Sequence, residues 1–90
     1  MPRIIVTAEV ADPVAWEQAF RTHGDLFRRQ TCSQMEYSIS GNEVAVLATP
    51  QDFDAFMALF EAPDTAEAME ADGVNRDTVK VFIVDNVWEL

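Results

Sequence analysis

His23 is the only histidine among the 90 residues, and imidazole is the one side chain that titrates near neutrality without help. Helical spacing places it on a stripe with Trp16, Ala19, Phe20, Leu26 and Phe27, so it should point toward a core rather than water. A buried histidine beside a pocket can act as a general base, or can ligate a metal or haem iron. The plain alternative is a core histidine held by a backbone carbonyl or a strand carboxylate. Glu36 is the second candidate and shares a strand parity with Gln34 and Ser38. Desolvated, its carboxyl would shift toward neutrality and serve as acid or base; solvated or paired with an arginine, it would stay an ordinary surface acid. Tyr37 completes the catalytic candidates, because a buried phenol needs a partner and can steer an oxyanion.

Trp16, Phe20 and Phe56 are candidates to line a pocket for an apolar or aromatic ligand. Arg3 could bind an anionic ligand or pair with Glu36. The spacing that lines a pocket also fills a core. Cys32 has no partner for a disulfide or a Cys-x-x-Cys site,. One His, one Cys and carboxylates without EF-hand spacing give no metal pattern, and three dispersed glycines cannot make a phosphate-cradling loop,. From the residues, neither metal nor cofactor is expected.

The elements that must position these side chains are well punctuated. Arg3–Val10 is β-branched and apolar and reads as a first strand. Asp12 is a natural helix cap and Pro13 fits the first helical position. The helix that follows is expected to run to about Arg29, weakened at Gly24 by roughly 1 kcal/mol relative to alanine. Residues 32–39 alternate, Gly41-Asn42 is a tight-turn dipeptide and Glu43–Ala48 is the next strand, which together make a hairpin. Thr49-Pro50-Gln51-Asp52 predicts a second helix capped by Thr49, with Phe53, Phe56, Met57 and Phe60 inward and a stop before Pro63. Asp64-Thr65 restarts a short helix with Ala66 and Met69 inward, closed by Gly73 at a left-handed C-cap. The last strand is expected over Thr78–Val84, running on toward Trp88.

The order β-α-β-β-α-β is the ferredoxin-like α+β topology: one domain over residues 1–90, a four-stranded antiparallel sheet with both helices on one face. The strands are apolar on both parities, as Val44/Val46 against Ala45/Leu47 shows. A lone chain would leave one sheet face apolar and wet. A two-fold homodimer packed sheet to sheet, closing an α+β barrel, resolves the conflict.

A net charge of −10 argues against nucleic acid and anionic membrane surfaces as partners, since both are bound through Lys and Arg. No apolar run approaches the ~20 residues of a membrane span. The N-terminal Met-Pro-Arg-Ile-Ile-Val lacks the features of a secretory signal, and with one unpaired cysteine the expected compartment is a reducing cytoplasm. The acidic run of the second helix and its extension, from Asp52 to Asp72, reads as a solvated face.

Several segments then resemble a known group. These are Asp12-Pro13-Val14-Ala15-Trp16, His23 seven residues after Trp16, Phe53-Asp54-Ala55-Phe56, and the stretch from Ala62-Pro63-Asp64 through Ala68-Met69 to Gly73-Val74. Over essentially its whole length the chain is similar to the dimeric α+β-barrel superfamily, which includes antibiotic-biosynthesis monooxygenases, small polyketide cyclases and stress-responsive barrel proteins. It departs from many relatives in having Gln30-Thr31 where they turn through a glycine. The resemblance implies a dimeric barrel and leaves its activity undefined, with the binding of a small apolar or aromatic ligand as the first expectation. Two alternatives follow from it: a cofactor-independent monooxygenase or polyketide-cyclase-like enzyme with His23 as base, and a haem-binding protein with His23 as axial ligand.

Overall fold

The computed structural model describes residues 3–90. Its elements are β1 (Arg3–Val10), α1 (Pro13–Phe20), α2 (Gly24–Arg29), β2 (Met35–Ser40), β3 (Glu43–Ala48), α3 (Phe53–Phe60), α4 (Pro63–Ala71) and β4 (Val74–Val84). The strands form one antiparallel sheet in the order β2-β3-β1-β4. This is the expected ferredoxin-like arrangement, with the second helix followed by a short one as expected and the first also divided into a pair. Among the described residues no helix is long and apolar enough to cross a membrane.

Alternation along the strands divides the sheet into two faces. Ile4, Ala8 and Val10 of β1 and Val44 and Ala48 of β3 are buried beneath Trp16, Phe20 and Phe56 of the helices. The opposite parity carries Ile5, Leu47 and Phe82 in one cross-strand row that ends at Glu36. Among the described residues nothing covers that face, and Phe82 is 52% exposed.

Asp12 caps α1 as expected, its Oδ1 accepting from the amides of Val14 at 3.0 Å and Ala15 at 3.3 Å. The helix expected to reach Arg29 instead stops at Phe20. Thr22 turns its hydroxyl onto the Ala19 carbonyl at 2.6 Å, and the amides of Thr22 and His23 bond back to Ala19 and Phe20. Threonine's capacity to bond its own backbone competes with helix continuation, and Gly24 offers little resistance. The chain restarts as α2, with His23 in the N-cap position.

The hairpin closes as expected between Ser40 and Glu43. Gly41, at φ +59°, fills the first central position of the turn, where a two-residue hairpin favours glycine,. Asn42 exchanges bonds with Val10, tying the hairpin to the end of β1. Thr49 does not cap the next helix. The amides of Gln51 and Asp52 are engaged by Thr31, through its carbonyl and its hydroxyl respectively, both at 3.0 Å. The start is therefore delayed until Asp52 caps α3 through Ala55. Pro63 opens α4, and Gly73 at φ +76° closes it in the left-handed conformation,.

β4 begins at Val74, four residues before the expected Thr78. Its pairing with β1 shifts register between Thr7 and Glu9. At the shift the Thr78 hydroxyl accepts from the Glu9 amide at 2.8 Å and donates to the Asn75 carbonyl at 2.6 Å. A side chain thus replaces the missing ladder partner, which explains why a strand pattern alone did not reach Val74.

Candidate active site

The helices and the inner sheet face do not close completely. Between them lies a cavity of about 80 Å³, walled by Trp16, Phe20, Phe27, Val44, Phe56 and Met69. That space exceeds the ~10–15 Å³ that one water needs, and almost all of its lining is apolar. Four polar side chains reach it: His23, Asp72, Gln30 and Thr65.

His23 Nε2 lies 2.8 Å from Asp72 Oδ1. Asp72 is the C-cap residue of α4, and its side chain is only 5% exposed. Burial pushes its carboxyl above the ordinary aspartate range, and the facing histidine pulls it partly back,. The imidazole stands edge-on to Phe27, with ring centres 6.3 Å apart. Among the described residues Nδ1 has no hydrogen-bond partner. An ionised Asp72 accepts the Nε2 proton and leaves Nδ1 with its lone pair, the tautomer a base requires.

Gln30 and Thr65 form the second polar pair. Gln30 is 2% exposed and donates from Nε2 to Thr65 Oγ1 at 3.2 Å, while Thr65 donates to the Leu59 carbonyl at 2.7 Å.

Of the side chains singled out from sequence, the structure brings His23, Trp16, Phe20 and Phe56 to this cavity. Trp16 and Phe20 stack at 4.7 Å, and Phe56 stacks on Phe60 at 5.7 Å. Tyr37 lies behind Phe20, edge-on at 5.3 Å, and does not line the cavity. Its hydroxyl donates to Glu17 Oε2 at 2.5 Å. That bond, then burial, raises the phenol's pKa, so Tyr37 stays a protonated donor already in use. Tyr37 instead borders a separate, more open and polar recess of about 360 Å³ with Arg21, Arg28 and Gln34. Arg3 and Glu36 are on the other side of the sheet. They face one another at 3.9 Å with side chains 51% and 57% exposed, a weak surface pair.

Cys32 is buried, and burial raises its thiol pKa, so it is not an activated nucleophile,. Among the described residues no cluster of three or more His, Cys, Asp or Glu could hold a metal ion. Asp72, Gln30 and Thr65 were not singled out as site residues from sequence. Asp72 is 49 residues from His23 and looked like one more acid on a solvated face. For Gln30 a signal existed: the Gln-Thr pair standing where similar chains turn through glycine.

The ferredoxin-like α+β fold of this chain is shared with solved structures of antibiotic biosynthesis monooxygenases. A candidate antibiotic biosynthesis monooxygenase from Bordetella bronchiseptica superposes with a TM-score of 0.75 at 14% identity, covering 97% of each chain. SnoaB, a cofactor-independent oxygenase from Streptomyces nogalater, gives 0.72 at 19% identity over 99% of this chain and 95% of that one. A candidate monooxygenase of the same kind from Caulobacter crescentus gives 0.70 at 16% identity, covering 97% and 90%. At these identities the likeness is one of fold. No family model and no curated protein matches the chain by sequence.

Proposed function

We propose that this chain is a homodimeric barrel protein that binds a small apolar or aromatic molecule between its helices and sheet, with His23 as the base of that site. The observation that carries the reading is the His23–Asp72 pair set in the wall of an otherwise apolar cavity. Apolar walls supply affinity through burial, and one convergent polar pair supplies orientation and proton transfer. A base of this kind removes a proton from an acidic O–H or C–H of the ligand. It leaves an electron-rich carbon that can react with dioxygen or with a carbonyl of the same molecule. That chemistry suits a cofactor-independent oxygenase, as SnoaB is described, and equally a cyclase. Trp16, Phe20 and Phe56 are the ligand-contacting walls in this reading.

Haem ligation by His23 fits less well. Nε2 already faces Asp72, and a cavity of about 80 Å³ is far smaller than a tetrapyrrole. Tyr37 is assigned a positioning role through Phe20 and Trp16, not an oxyanion role. Arg3 and Glu36 are assigned to the rim of the dimer face.

The dimer rests on the open sheet face. Ile5, Leu47 and Phe82 form its apolar centre, and beyond β4 the residues Val87 and Trp88 are 83% and 86% exposed. Trp88 shares the parity of Phe82 and Val84, so an extended tail would carry it onto the same face of a second copy.

Native mass spectrometry of gently purified protein tests the reading. Twice the chain mass plus a small-molecule adduct is expected, with the adduct lost in Ala68→Phe, which fills the cavity. A monomer, or an adduct that survives Ala68→Phe, overturns it.

A further inference from the structure

We infer that the open recess between α2 and the start of β2 is a second binding site, separate from the cavity, and that it takes an aromatic carboxylate. The recess measures about 360 Å³, within the ~300–1,000 Å³ range of small-molecule sites. A turn of the chain builds it. Thr31 adopts φ +65°, a left-handed conformation that a β-branched residue rarely takes, and leads the chain out of α2,. The Cys32 amide then bonds to the Phe27 carbonyl at 3.0 Å. Ser33, Gln34 and Met35 are thereby brought to the same recess as Phe27 and Arg28.

Charge sets the recess apart. The chain carries 16 acidic residues against six basic ones, yet the described residues lining the recess include two arginines and no acid. Arg28 folds back along α2. A Cβ on Gly24 would stand 3.5 Å from its Nη2 and 3.6 Å from its Nη1, which puts the guanidinium against a residue of the recess wall. Asp25 meets Nη1 at 2.5 Å, but its side chain is 98% exposed. So exposed a pair is weak enough for a ligand carboxylate to share the guanidinium. Arg21 makes no ion pair among the described residues. It stands by Tyr37, another residue of the recess: the bond to Glu17 and burial raise that phenol's pKa, and Arg21 opposes them.

Two guanidiniums at one recess suit a carboxylate, whose two oxygens match their paired N–H groups. Phe20, Phe27 and Met35 supply the apolar part of the wall. An inorganic anion would leave that part wet, and a hydrocarbon would leave the arginines unanswered. A planar ring bearing a carboxylate meets both.

Benzoate, its neutral near-isostere benzamide and inorganic phosphate are the probes, each titrated into the full-length protein at neutral pH. The backbone amides of Gly24, Ser33 and Gln34 are followed by NMR. Benzoate should shift these amides and bind at least about tenfold more tightly than either other probe, the equivalent of one charge-assisted contact. Combining Arg21→Gln with Arg28→Gln should weaken benzoate by about tenfold and leave benzamide within about twofold. Equal binding of benzoate and benzamide, or a preference that survives the double substitution, overturns the role of the arginines and with it the inference. Phosphate binding as tightly as benzoate overturns the aromatic class. Benzoate that leaves all three amides unmoved removes the site. Should the double variant not fold, the three probes on the wild-type protein decide by the same criteria.

Discussion

His23 and Asp72 are joined by a 2.8 Å contact across 49 residues of sequence, and that contact ties the start of α2 to the end of α4. Both side chains leave from cap positions rather than from helix interiors. The pair therefore depends on two helix ends being placed correctly, and it reports on both.

Replacing His23 by alanine should lower stability by ~1–3 kcal/mol, because Asp72 is left buried with no partner. His23→Gln, which can still donate to Asp72, should recover part of that loss. Urea unfolding at neutral pH measures both, and equal losses in the two variants would show that packing alone matters at this position.

Asp72 also sets a pH dependence. Its carboxyl in the folded chain lies above the ordinary aspartate value of 3.8, chiefly through burial. The folded chain then holds this proton more tightly than the unfolded chain. Stability from this group is full below that ordinary value and declines as pH rises through the folded one. Wild-type stability should therefore fall relative to Asp72→Asn on going upward from about pH 4. Parallel profiles for the two proteins in that range would contradict the assignment.

Tyr37 is the only tyrosine, so the phenolate absorbance of the folded protein reads this residue alone. Its pKa is raised first by the bond to Glu17 and then by burial. Glu17→Gln should bring the titration midpoint down toward 10, the ordinary tyrosine value. An unmoved midpoint would show that the carboxylate does not hold the phenol.

Thr31 combines backbone strain with useful side-chain bonds. A left-handed conformation costs ~1–2 kcal/mol for a residue with a Cβ, and the hydroxyl offsets this by serving Asp52 at 3.0 Å. Thr31→Gly exchanges one for the other and should change stability by less than about 1 kcal/mol. Thr31→Val keeps the strain and loses the bonds, and should cost ~1–3 kcal/mol. Thermal unfolding of the two variants checks the order.

The open sheet face predicts the assembly. Phe82→Glu places a charge at the centre of the proposed interface and should yield monomers in sedimentation velocity. Val14→Glu, at a 68% exposed position elsewhere, should leave dimers intact. With a charge of −10 on each chain, added salt should tighten self-association.

The strand order, the hairpin and the Asp12, Pro63 and Gly73 signals were legible because each is a local rule: a cap, a fixed φ, a left-handed turn. The break at Thr22 was not, because the stripe from Trp16 to Phe27 reads the same whether the helix is continuous or divided. Thr49 lost its cap role to a contact with Thr31, 18 positions earlier in the sequence and invisible to any local rule. Half of the candidate site followed the same division. His23 and the aromatic walls were marked by type and spacing. Asp72 and Thr65 are polar residues made interior only by how α4 packs.

The register shift opposite Thr7–Glu9 makes β4 two ladders laid end to end, one on Glu9–Val10 and one on Arg3–Thr7. In kinetic terms these are separate opening units: the short ladder at Val74–Asn75 can detach while Lys80–Val84 stays zipped. Val74 lines the cavity and follows Asp72 by two residues, so this detachment opens the pocket at its polar corner. For the ligand proposed above, residence is expected to follow a local fluctuation of one strand end, and Thr78→Val, outside the cavity wall, should change it.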